Sequence, residues 1–215
     1  MKIKEELFHY FEKAGVKTHY HPQDLIYMQE DDAKALYLIT KGRVRVYDIA
    51  KNGKEITFDV LDRGRIFGES SFIQNACRPT TVSAVNDVEL ISCQLEDLYP
   101  YLKESPDLTI SLLQLMNETC NHITKRLKWA QTYNRYEKVA AFLLDLTSSD
   151  NIDKDIIDGV LPYTHQEIAD SIGLARVTVT KILNEFAEGG YIAMKYGKIK
   201  IVDKNGLYRQ YLSHQ

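Results

Sequence analysis

At 215 residues, 44% of them hydrophobic, the chain can bury a substantial core and divides most naturally into two modest domains. A formal net charge of -3 gives no chain-wide basic character, and no apolar run approaches the roughly 18 to 20 residues of a membrane span, so a cytoplasmic protein is expected. Cys77, Cys93 and Cys120 are odd in number and widely spaced with no C-x-x-C, which supports neither a disulfide framework nor a zinc site.

The opening segment MKIKEELFHYFEKAG has the pattern of an amphipathic helix rather than of a signal peptide. Next comes HYH, where His19 and His21 put two imidazoles on one side of a strand, because alternate strand residues share a face. Such a pair is a fragment of a metal site, and a metal-dependent enzyme on a cupin-like barrel is the alternative to the reading that follows. Leu25 and Ile26 stand where that site expects a carboxylate, and no second histidine motif follows, so no metal site is assigned and the chain is read as a non-enzyme.

From about Tyr20 to Leu98 β-branched and aromatic residues are punctuated by Gly42, Gly53, Gly64 and Gly68, the pattern of short antiparallel strands. Asn52-Gly53 is a preferred hairpin dipeptide, and Val44 and Val46 alternate with Arg43, Arg45 and Tyr47. A β-barrel or roll closes such strands. After Ser105, Pro106 suits a first helical turn, and no glycine or proline recurs before Gly159, so this stretch is mainly helical.

Within it Leu113, Met116, Cys120, Ile123, Leu127, Ala130 and Asn134 follow a 3-4 spacing, a heptad seam that predicts a parallel dimer interface. The aspartate-rich SSDNIDKDIID, residues 148 to 158, reads as a solvated loop.

Thr164 and Glu167 form a T-x-x-E capping box, which predicts a helix from near His165 with Ile168, Ala169 and Ile172 inside and a break at Gly173. A second helix follows, with Val179, Ile182, Leu183 and Phe186 as its buried face. Arg176, Val177, Thr180, Lys181 and Asn184 then share the opposite stripe, which fits a major groove. Gly189 and Gly190 end that helix, and YIAMKYGKIKIV predicts two short strands around Tyr196-Gly197, a wing carrying Lys195, Lys198 and Lys200. From Val160 onward seven Lys and Arg face five Asp and Glu, so basic groups concentrate at this end.

The expected fold is α+β in three parts: an N-terminal helix and β-roll over 1–105, a dimerisation helix over 106–134, and a winged helix-turn-helix domain over 135–215. Roll, long helix and winged helix-turn-helix in this order resemble the family of the cyclic-AMP receptor protein and the fumarate and nitrate reduction regulator. FGESSFIQNACRPTTVSA resembles that family's phosphate-binding cassette, and QEIADSIGLARVTVTKIL its helix-turn-helix.

The resemblance implies a homodimeric bacterial transcription factor that binds double-stranded DNA at a near-palindromic operator. It also implies control by a small effector in the roll, with cyclic AMP one candidate, and contact with RNA polymerase if the protein is an activator. On the family pattern Gly68 and Glu69 would meet the ribose and Arg78 a cyclic phosphate, with Thr80 in the cassette and Ile123 and Thr124 on the long helix completing the effector set.

Departures are visible: Pro79 replaces the serine that follows the arginine, and Ile123 replaces a hydroxyl residue. The alternative to a ligand role for Arg78 is a surface ion pair with Glu69 or a neighbouring acid. An iron-sulfur sensor would need N-terminal cysteines, and the first here is Cys77; a haem sensor lacks a histidine ligand between His21 and His122.

At the DNA face the resemblance implies Thr164, Gln166, Arg176, Val177, Thr178, Thr180, Lys181 and Lys198 as contacts, with Val177 in place of a glutamate that reads cytosine. Ala175 stands where a capping serine is common.

Overall fold

The computed structural model describes residues 2–49, 53, 55–72, 76–147, 160–161, 163–195 and 198–212. The chain divides into two compact units, Met1–Asn121 and His122–Gln215.

The first unit opens with a 3-10 turn, Glu5–Leu7, running into α1 (Phe8–Ala14). Leu7 and Phe11 point inward, as the amphipathic pattern requires. The strands β1 (Gly15–Tyr20), β2 (Leu25–Tyr27), β3 (Leu36–Lys41), β4 (Arg43–Ile49), β5 (Glu55–Asp62), β6 (Ile66–Phe67), β7 (Thr81–Ala84) and β8 (Val88–Cys93) follow. They form two antiparallel sheets, ordered β1-β8-β3-β6 and β2-β7-β4-β5.

The alternation along β3 explains how the roll is filled. Leu36 and Leu38 face a cluster shared with Phe11 and Ile91, while Ile39 turns the other way into a cluster with Val44, Phe67, Val82 and Leu90. Because β3 is buried on both faces, its sequence is a nearly continuous apolar run. Tyr47 shares the face of Arg45 as expected, with the Arg45 guanidinium 4.4 Å over its ring, and it is buried there; the register shift between Val46 and Tyr47 puts the extra residue on β5 and leaves the pairing of β4 with β7 in step.

The helices α2 (Leu95–Glu104) and α3 (Pro106–Thr132) come next, and Pro106 opens α3 as expected. Leu108, Leu112 and Leu115 are the stripe of α3 that joins the first unit's core. The predicted seam lies on another stripe, and its members Leu113, Met116, Cys120, Ile123, Leu127 and Ala130 are all exposed. Asn134 is not part of it. It caps the next helix, α4 (Arg135–Leu146), where its side chain accepts from the backbone N–H of Glu137 at 3.1 Å while the Glu137 carboxylate accepts from the Asn134 N–H at 2.6 Å.

The second unit continues with β9 (Val160–Leu161), α5 (His165–Ile172), α6 (Arg176–Glu188), β10 (Ile192–Lys195), β11 (Lys198–Ile201) and α7 (Lys204–Tyr211). Trp129, Val139, Leu143, Ile168, Leu183, Phe186 and Ile199 belong to its core cluster. The wing carries three strands rather than two, because β9 pairs with β11 through Leu161 and Ile199. The 148–158 loop and the Tyr196-Gly197 turn lie outside the described residues.

Candidate functional site

The helix-turn-helix is built from local rules. The Thr164 hydroxyl accepts from the Glu167 N–H at 3.2 Å and the Glu167 carboxylate accepts from the Thr164 N–H at 2.7 Å, which fixes where α5 starts. Gly173 then adopts the left-handed conformation, φ 67°, and the Leu174 N–H closes the turn on the Ala169 carbonyl.

Val179, Ile182, Leu183 and Phe186 are buried, so α6 is docked by one face and its rotation is fixed. On the opposite face Arg176, Lys181 and Asn184 are exposed, and Val177 is 81% exposed. An apolar side chain so fully in water has nothing in its own chain to pack against, whereas a thymine methyl would cover it.

Other predicted contacts are placed less freely. Thr178 is half-buried, and so is Thr180, whose hydroxyl is hydrogen-bonded to His165 Nδ1 at 2.9 Å. The free, solvent-facing position expected for Thr180 is therefore corrected. Burial, and then the positive charge of Arg176, hold the His165 imidazole below its usual range.

Thr164 and Gln166 are exposed at the start of α5, and the Gln166 amide donates to Asp170 at 2.8 Å. Lys195, Lys198 and Lys200 are exposed on β10 and β11, with Lys195 directly opposite Lys198 in register. Like charges facing each other across two strands are unfavourable without an anion between or beside them. The Ala175 cap makes no side-chain hydrogen bond, so the N-terminus of α6 keeps unsatisfied N–H groups aimed where a phosphate could sit.

In the roll, the cassette residues Gly68, Glu69 and Arg78 do come together, but in a different arrangement from the one expected. Arg78 is only 2% exposed, which overturns a surface ion pair with Glu69. Its Nη1 donates to the Gly68 carbonyl at 2.9 Å and the Ser70 hydroxyl at 3.2 Å, and its Nη2 to the Ala35 carbonyl at 2.7 Å. The guanidinium carbon lies 4.3 Å from the centroid of the Tyr27 ring and 5.6 Å from that of Tyr37.

Gly68 is required twice over, by φ 88° and because a Cβ there would meet the Ala35 carbonyl at 2.9 Å and Arg78 Nη1 at 3.0 Å. Thr80 is half-buried and hydrogen-bonds Tyr27, whose hydroxyl is held above its usual range, chiefly by burial.

Glu69 opens the 3-10 turn Glu69–Phe72, and burial raises its carboxyl above the ordinary range despite Arg65 and Arg78 nearby. A small pocket beside it is lined by Arg65, Ile66, Glu69, Phe72, Leu112, Leu115, Met116 and Thr119. Arg65, Phe72 and Thr119 were not singled out in the sequence; the only signal was an arginine three residues before the cassette glycine. Ile123 and Thr124 are both exposed on α3. Cys77 and Cys120 are exposed, while burial pushes the Cys93 thiol up to about 12, which leaves it a packing residue.

His19 on β1 and His21 just past its end bring their rings together with centroids 4.8 Å apart, and Asp87 from the β7–β8 turn joins them. All three are exposed side chains on the outside of the roll rather than in a cavity. An interior cupin-like catalytic site is therefore not formed by them.

Comparison with known proteins agrees with this architecture. Residues 17–105 match the model of the cyclic nucleotide-binding domain, and residues 137–210 that of the Crp-like helix-turn-helix domain. The global nitrogen regulator of Synechocystis is 30% identical over 191 residues, which cover 86% of this chain and 84% of that protein. The transcriptional regulator SdrP of Thermus thermophilus is 31% identical over 173 residues, covering 80% and 81%.

A solved structure of a CRP/FNR-family transcriptional regulator from Thermus thermophilus superposes with a TM-score of 0.66 at 28% identity, over 90% of this chain and 97% of that one. These relatives are regulators, and the metal-dependent enzyme alternative finds no support among them. No helix among the described residues is long and apolar enough to cross a membrane. With a cyclic-nucleotide-type roll, a long helix and a Crp-type winged helix-turn-helix in a single chain, the protein belongs to the Crp/Fnr family of transcriptional regulators.

Proposed function

We propose that the chain works in the cytoplasm as a homodimer whose two α6 helices enter successive major grooves of a near-palindromic operator. Half-sites lie about one helical turn apart. The observation that carries this reading is the division of α6 into a fully buried face and an exposed face bearing Arg176, Val177 and Lys181. Arg176 selects a guanine edge, Val177 a thymine methyl, and Lys195, Lys198 and Lys200 meet phosphates beside the groove. RNA polymerase is the further partner if the protein activates transcription.

Dimerisation uses the exposed seam from Leu113 to Ala130, and the functional division of the chain is a roll over 1–105, a dimer helix and a DNA-binding region after it. A small effector in the roll sets the activity. The inward Arg78 has three of its donors engaged by the protein, so a cyclic phosphate would have to displace existing hydrogen bonds there. Glu69 and Arg65 beside the small pocket are the more accessible polar groups for an effector.

The test of the DNA reading is selection from a randomised duplex pool at fixed salt. A two-fold symmetric motif is expected for the wild type, with a guanine that relaxes in Arg176→Ala. Loss of affinity without any change of motif in Arg176→Ala would mean that this arginine meets only phosphate.

A further inference from the structure

We infer that His19, His21 and Asp87 form a surface site for a divalent transition-metal ion of the zinc class. One donor atom from each of the three lies within 4.8 Å of the others. His21 Nδ1 and Asp87 Oδ1 are 3.3 Å apart, and two ligands bound to zinc at about 2.0 to 2.1 Å in a tetrahedron stand roughly 3.3 Å apart. The His19 and His21 rings meet edge-on with centroids 4.8 Å apart. A histidine–aspartate ion pair needs only one imidazole. Two imidazoles and a carboxylate within 4.8 Å of one another make the donor set that suits zinc, nickel or copper rather than calcium or magnesium.

The backbone beneath these side chains is fixed from several directions. The His21–Asp24 turn is tied to the end of β7, since the Gln23 N–H donates to the Ala84 carbonyl at 2.8 Å and the Ala84 N–H to the Asp24 carbonyl at 2.9 Å. The Asp24 carboxylate accepts from the His21 N–H at 2.7 Å. On the other side the Asn86 side chain accepts from the Arg43 N–H at 2.8 Å, and a Cβ on Gly42 would lie 2.2 Å from the Asp87 carbonyl. The two ligand-bearing segments are thus one hydrogen-bonded unit, and only exposed side-chain rotamers have to adjust when the ion binds. Glu89 faces His19 in register but is held by Lys41 at 3.1 Å, so water completes the coordination. A bound ion would fasten the end of β1 to the β7–β8 turn and stabilise the roll by mass action.

The experiment uses the full-length chain without an affinity tag, stripped with chelator and titrated with Zn²⁺ by calorimetry. Co²⁺ is titrated in parallel by visible absorption. One equivalent of Zn²⁺ per chain, a raised unfolding temperature and a cobalt spectrum of nitrogen–oxygen character are expected. The His19→Ala, His21→Ala double variant loses that equivalent and the temperature shift, and Asp87→Asn, which replaces a carboxylate ligand with a neutral amide, weakens it measurably. All three residues are exposed, so the metal-free variants should unfold where the metal-free wild type does. Absence of zinc uptake by the wild type at millimolar metal overturns the site. Retention of the same equivalent by the double variant overturns it as well, and would place the ion on Cys77, Cys120 or other groups.

Discussion

Replacing Ile123 with Asp should convert the proposed dimer to monomers. Leu113, Met116, Ile123 and Leu127 are 62%, 45%, 60% and 57% exposed in the single chain. Full burial of such a side chain is worth about 1.5 to 3 kcal/mol, so covering about half of each contributes roughly 1 to 1.5 kcal/mol. Eight such side chains in a symmetric pair then contribute roughly 8 to 12 kcal/mol, the same order as the 4 to 15 kcal/mol that association costs.

An aspartate on each chain removes about 2 to 3 kcal/mol of this and brings two carboxylates face to face at the seam, with desolvation penalties of several kcal/mol. A loss of about 5 kcal/mol or more weakens dimerisation by at least roughly a thousandfold. Sedimentation velocity at micromolar concentration should give a dimer for the wild type and a single chain for the variant, with unchanged far-ultraviolet dichroism because Ile123 belongs to no buried cluster. An undiminished dimer in Ile123→Asp would refute the seam.

Arg78→Leu should destabilise the roll by roughly 2 to 4 kcal/mol in denaturant unfolding, because the Gly68 and Ala35 carbonyls lose their donor; a loss below about 1 kcal/mol would instead fit an exposed ion pair. Ala175→Ser supplies the missing cap of α6 and should stabilise the DNA-free second unit by about 1 kcal/mol, while no gain would mean that the α6 N-terminus is already satisfied. His165 is held below its usual value of 6.5, so below that pH the unfolded chain takes up a proton that the folded chain does not. Stability of the second unit should therefore fall as pH drops through and below about 6.5, and His165→Gln should flatten that part of the thermal-unfolding profile; parallel profiles would remove His165 as its cause.

What could be read in the sequence was whatever local periodicity and capping determine. Thr164, Glu167 and Gly173 fix both ends of α5, and the four buried residues of α6 follow from a 3.6-residue period, so the exposed stripe follows by subtraction. On α3 the same spacing picks out an exposed stripe from Leu113 to Ala130; beyond it Asn134 continues the spacing but is claimed by the capping box of α4. What could not be read depends on contacts between distant segments. Arg78 is buried because Tyr27, Tyr37 and the Ala35 carbonyl surround it, and nothing within the cassette itself signals that. Asp87 reaches His21 across 66 residues of chain, a contact that the local sequence around HYH does not signal. β9 is only two residues long and has no period to detect.

The most direct test of the account is base selection by Val177→Glu beside the wild type. Val177 offers no hydrogen-bonding group, so the wild type should prefer thymine at its position in each half-site. A carboxylate there accepts from cytosine N4 and opposes the thymine carbonyl. The variant should therefore exchange T for C at one symmetric position, with discrimination of roughly 1 to 3 kcal/mol per contact and the rest of the motif unchanged. An identical preferred sequence for both proteins would contradict the account, because the face of α6 that carries Val177 would then not lie in the groove.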